Sequence, residues 1–144
     1  NEYLSNKIDE YKGHYKRITS FLNAVKELKE QGTEDDKIAE NFKMTVEGLK
    51  PYLEFSKHGE LPITDPKIFP SLYFVKGAIA IHALRVKIGD EAFFKGFKIL
   101  FEKPTNEELT LDFMKNIFQS VTPVPLDDFF DLWYFQTGLP DIMP

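Results

Sequence analysis

Between residues 3 and 30 the apolar positions Leu4, Ile8, Tyr11, Tyr15, Ile18, Leu22 and Val25 recur at alternating steps of four and three. Lysines and glutamates fill the positions between them. This period lays one apolar stripe along a helix and predicts a single long amphipathic helix. Packing is the simplest reading of the stripe, and a coiled-coil seam is the alternative. Gly13 costs about 1 kcal/mol against alanine in a helix interior, so it marks a bend or a close contact. Gly32 supplies the C-terminal stop.

The pattern continues in helical steps. A second helix is expected to open at Thr33, whose hydroxyl caps an amide near Asp36, with Ile38, Ala39 and Phe42 inward. Pro51 should begin or kink a helix carrying Tyr52, Leu53 and Phe55. Residues 57 to 70 hold Gly59, Pro62, Pro66 and Pro70 and read as one long loop, either functional or wrapped over the core. After Ser71, expected as a cap, Leu72 to Ile88 is apolar almost all round, which predicts a helix buried on most faces. Gly89 ends it, and Asp90 and Glu91 start the next helix with charge suited to its N-terminus. Phe93, Phe94, Phe97, Leu100 and Phe101 are expected to form its inner face. Pro104 to Glu108 connect to a helix capped by Thr110 and burying Phe113, Met114, Ile117 and Phe118. Pro123 and Pro125 break the chain before a last helix, Leu126 to Gln136, which buries Phe129, Phe130 and Trp133 and stops at Gly138 and Pro140. No segment alternates with period two for long. The expectation is an all-α bundle of about six or seven helices.

Composition narrows the function. At 144 residues the chain suits one helical domain, with N-terminal helices at 1–56, the Pro-rich loop at 57–70 and a helical region at 71–144. The net charge of −5 argues against a nucleic-acid partner. Lys76, Arg85 and Lys87 interrupt the longest apolar runs, so no membrane span is expected. The absence of cysteine removes disulfides, thiolate zinc sites and cysteine nucleophiles, and leaves the compartment open. A soluble, cytoplasmic setting is the default expectation. The first residue is Asn1 rather than Met, so the chain is treated as a piece of a larger protein.

Chemistry is sparse. His14, His58 and His82 begin no H-E-x-x-H motif, and no two of them share a helical turn. Glu10 and His14 read as a solvated pair, His58 as an exposed loop residue, and His82 as a hydrogen-bonded core histidine. Asp35-Asp36, Glu107-Glu108 and Asp127-Asp128 fall in or before first helical turns, where negative charge offsets the amide dipoles. There is no Gly-rich phosphate loop and no G-x-S-x-G elbow.

One stretch carries more. Ser71-Leu72-Tyr73-Phe74-Val75-Lys76-Gly77-Ala78, followed by Ile81-His82-Ala83-Leu84-Arg85 and Ile88-Gly89-Asp90-Glu91-Ala92-Phe93-Phe94, resembles the zinc aminopeptidase family of the aminopeptidase N and leukotriene hydrolase group, of gluzincin type. In that family a Tyr-x-Lys-Gly opens a buried helix that ends in Leu-Arg and an Ile-Gly-Asp-Glu-x-Phe turn. Leu126-Asp127-Asp128-Phe129-Phe130, Trp133 and Gly138-Leu139-Pro140 are similar to the close of the family's catalytic domain. The resemblance covers residues 68 to 141, about half the chain, with three motifs in the same order and spacing.

The resemblance implies the helical half of a thermolysin-like zinc hydrolase, in which the metal polarises a peptide carbonyl and activates water. In that family the metal ligands are the two histidines of H-E-x-x-H and a later glutamate carried by an Asn-Glu-Gly, with the motif glutamate as general base, and H-E-x-x-H is absent here. Zinc is therefore expected in the parent protein and not on this chain, which alone should be inactive. The implied partners are the zinc-bearing N-terminal half of the same protein and, in the parent, a peptide substrate. Asn1-Glu2 is followed by Tyr3 where the family has Gly, and Glu2 is given no role. The family's tyrosine donates a hydrogen bond to the oxyanion of the tetrahedral intermediate. Counting back from Gly77 places that position at Phe74, which has no hydroxyl, with Tyr73 one residue earlier and about 100° around the helix. Tyr73 is thus the candidate oxyanion donor and Phe74 the residue in strict register. Lys76 and Gly77 are expected to serve packing. The alternative function is a non-catalytic helical scaffold or interaction domain derived from the same family. A third reading is an independent helical module whose similarity is accidental. A fragment should expose apolar surface and self-associate.

Overall fold

The computed structural model describes residues 2–103 and 108–141. Among these the chain forms seven α-helices and no strand: α1 (Glu2–Glu30), α2 (Asp35–Asn41), α3 (Val46–Ser56), α4 (Pro70–Ile88), α5 (Asp90–Phe101), α6 (Leu111–Ser120) and α7 (Asp127–Phe130). A π-helical turn, Asp131–Phe135, continues α7. The all-α expectation holds. Asn1 and most of the Pro104–Glu108 connection, including Glu107, lie outside the described residues.

The helix stops follow backbone chemistry. Gly32 takes φ 82°, and Thr33 N–H donates to the Leu28 carbonyl while Gly32 N–H donates to that of Lys29, which closes α1 with paired reverse bonds. The same pair closes α2, where Met44 N–H reaches the Ala39 carbonyl and Lys43 takes the left-handed φ of 53° that glycine usually supplies. Gly89 separates α4 from α5 at φ 84° and ψ 162°, a conformation closed to residues with a side chain.

Several starts differ from expectation. Residue Glu34 precedes α2 without a side-chain cap, so the Thr33 cap is corrected. Thr45 caps α3 by accepting from Gly48 N–H, and this places Pro51 inside the helix. Phe69 precedes α4 and Pro70 occupies its first turn, where a missing amide hydrogen costs nothing, so Ser71 is not the cap. Thr110 caps α6 as expected, accepting from Phe113 N–H.

Three apolar clusters make the core. The largest joins Ile79, Leu84, Phe93, Phe118, Leu126, Phe130 and Trp133 across α4, α5, α6 and α7. A second joins Tyr15 and Leu72 to Ile63 and Ile68, so the Pro-rich loop does wrap over the core. The third packs Val25 against Ile38, Ala39 and Leu49. Gly96 lets α5 approach α6: a Cβ there would lie 2.5 Å from the buried Phe118 ring. Gln119 holds the proline turn after α6, donating to the Thr122 and Val124 carbonyls and accepting from Leu126 N–H.

Two burials predicted on α5 fail. Phe94 and Phe101 point outward from α5, at 55% and 79% exposure. Helix α4 buries one broad face (Leu72, Lys76, Ile79, Ala80, Ala83 and Leu84) and leaves Phe74, Ala78 and Val86 exposed.

Candidate functional site

Helix α4 carries the residues that single this chain out. Its inward face includes a lysine: Lys76 is 1% exposed, and its Nζ donates to the Gln136 carbonyl at 2.7 Å. Loss of water around the ammonium lowers its pKa, which the Glu60 carboxylate partly opposes. Glu60, from the loop after α3, accepts from the Gly138 amide at 2.7 Å and from the Tyr15 hydroxyl. Lys76 therefore serves the fold, as expected, by fixing the chain that leaves the π-turn.

Tyr73 and Phe74 sit in the first turns of α4, half exposed and 71% exposed respectively, with ring centroids 5.5 Å apart. Their side chains leave the helix about 100° apart. Tyr73 lies toward the C-terminal element, where its phenol and burial together push the Tyr134 hydroxyl up to about 12, burial being the larger cause. Tyr134 in turn stacks on Phe130 at 5.4 Å. Phe74, the more exposed of the two, falls on the helical line that runs through Ala78 and Ile81 to Arg85.

That line meets an open groove of about 560 Å³ between the start of α1 and the end of α4. Tyr3, Leu4, Ile8 and Tyr11 form one wall, and Ala78, Ile81 and His82 the other. The first third of the α1 stripe therefore faces the groove rather than the core. His82, expected in the core, is half-buried at the groove wall, and burial followed by the Arg85 cation lowers its pKa. Arg85 forks onto Asp90 across the Gly89 corner at 2.7 and 3.1 Å and lies 5.0 Å over the Phe94 ring. These contacts give the Leu-Arg and Gly-Asp elements a structural purpose. Leu84 fills the core, and Arg85 locks the turn.

The remaining histidines are dispersed. His14 accepts from Arg17 at 2.7 Å and lies 3.7 Å from Glu10, as a solvent-facing pair. His58 lies 4.0 Å from Glu54 at the end of α3. No group of three or more histidine, cysteine or acidic side chains able to hold a metal occurs among the described residues. The donor set of the described residues thus does not fit a zinc site. Asp35, Asp36, Asp127 and Asp128 occupy first helical turns, and Asp127 pairs with Lys115 at 3.0 Å. None of the described helices is long and apolar enough to cross a membrane.

The polar clamp around Gln136 and Gly138 escaped sequence reasoning, although a lysine inside an apolar helix was its signal. The groove was signalled too, by a stripe longer than the elements available to cover it. No family model matches the chain. No solved structure matches it either. A stretch of 70 residues, 49% of this chain, is 33% identical to aminopeptidase N of Lactococcus lactis subsp. lactis and covers 8% of that protein. The similarity is a partial one, and it points to a relation with that family.

Proposed function

We propose that this chain is the helical portion of the catalytic domain of a zinc-dependent aminopeptidase-type metallopeptidase, lining the substrate side of a site whose metal and general base lie elsewhere in a longer polypeptide. The observation that carries this reading is the 33% identity to aminopeptidase N over 70 residues. The exposed flank of α4, with Phe74 at 71% exposure, supports it as a surface suited to a missing half. Tyr73 is the candidate oxyanion donor, and Phe74 holds the strict register.

Hydrolysis of aminoacyl-anilides tests the reading. The isolated chain with added zinc should give no turnover, and robust turnover abolished by a chelator would contradict it. In the longer polypeptide, Phe74→Tyr should raise kcat by about 100-fold or more if the donor position is Phe74, because one aimed donor is worth roughly 3 kcal/mol. No gain, with wild-type activity lost in Tyr73→Phe, assigns the donor to Tyr73 instead. A metal-free parent inert in every variant would favour the second reading, a non-catalytic scaffold, for which the missing hydroxyl at Phe74 is the specific observation.

A further inference from the structure

The chain leaves the π-turn at Gln136 in an extended conformation, with φ −102° and ψ 158°. Residues 136–140 then cross the molecule without helix or strand. Their position matters more than their length. Val75 of α4, Tyr134 of the π-turn and Leu139 each pack against both the α4–α7 cluster and the cluster under the Pro-rich loop, so the segment lays Leu139 into the seam between two cores. Two polar contacts from different elements pin it. Lys76, fully buried in α4, holds the Gln136 carbonyl, and Glu60, from the loop, holds the Gly138 amide while also accepting from Tyr15 on α1.

We infer that residues 136–140 are a hinged strap, latched jointly by Lys76 and Glu60, whose opening exposes the apolar seam lined by Val75, Leu139 and Tyr134 while the helices stay folded. A segment held by a few polar bonds rather than by its own ladder opens locally at lower free energy than the helices it covers. The positive φ of Gly138, 83°, puts a residue of wide backbone freedom at the pinned point. Both latches must act on one body, because the two anchored residues are separated by a single position.

The test reads each latch at the other one. In the 144-residue chain, Lys76→Met should speed amide hydrogen exchange at Gly138, a bond that the substitution does not touch, by about tenfold or more. Conversely, Glu60→Ala should raise the limiting rate of acetylation of the Lys76 free amine by an amine-reactive ester by about tenfold, read from a pH–rate profile so that the loss of the Glu60 charge beside the amine is divided out, since that amine is sealed when the strap is shut. In both variants the amides of Ile117 and Phe118 in α6 should exchange as in the wild type. Unchanged Gly138 exchange together with unchanged Lys76 labelling would overturn the inference, as would an equal acceleration at Phe118. If Lys76→Met does not fold, the Glu60→Ala labelling result decides alone.

Discussion

A lysine at 1% exposure is a costly choice, and its geometry explains why it stands in α4. The long stem fills core volume as a hydrocarbon would, and the head passes through the core to bond the Gln136 carbonyl at its edge. His82 shows the opposite economy. Burial, and after it the Arg85 and Lys12 cations, hold its folded pKa below the ordinary imidazole range, so the unfolded chain binds more protons in acid. Its contribution to stability is therefore complete above the unfolded value and is lost as pH falls through the folded one. Urea midpoints should decline from about pH 7 to about pH 5, and His82→Gln should flatten that decline. An unchanged slope would remove His82 from the account.

Secondary-structure elements were legible wherever one local force dominates. The helical period of α1, the Gly89 break and the Thr110 cap each rest on local signals, and each is found as read, although the first third of the α1 stripe faces the groove. Misses arose where a tertiary choice decided the outcome. Phe94 and Phe101 look like core by spacing, yet α5 can turn only one flank to α6, and Gly96 selects which. Gly96→Ala should cost about 1–3 kcal/mol in chemical denaturation, because Phe118 is fully buried and cannot give way. Unaltered stability would mean that the α5–α6 crossing is looser than drawn. The caps at Thr33 and Ser71 failed for a simpler reason: a serine or threonine near a helix start is common, and only the backbone settles which residue is half in. The shift from α7 into a π-turn has no sequence signal that the hydrophobic pattern could carry.

At the scale of the molecule, two cores meet along a seam, and one flank of α4 faces outward with aromatic residues. The candidate site was only half legible. Its residues could be named, but whether Tyr73 or Phe74 faces the open side depends on how the chain enters α4, which spacing alone does not set. In the structure Tyr73 lies close enough to Tyr134 to act on its phenol, and Phe74 is the more exposed of the two. If the exposed flank is a surface that meets another half of the same protein, the isolated chain should self-associate, with an apparent mass in light scattering that rises with concentration. A strict monomer at high concentration would argue that the flank is covered well enough by itself. The most direct measurement for the central claim is the nucleotide sequence of the reading frame upstream of the Asn1 codon. The account predicts a His-Glu-x-x-His signature followed by a ligand glutamate in that frame, and a frame that starts near Asn1 or runs upstream without this signature would contradict it.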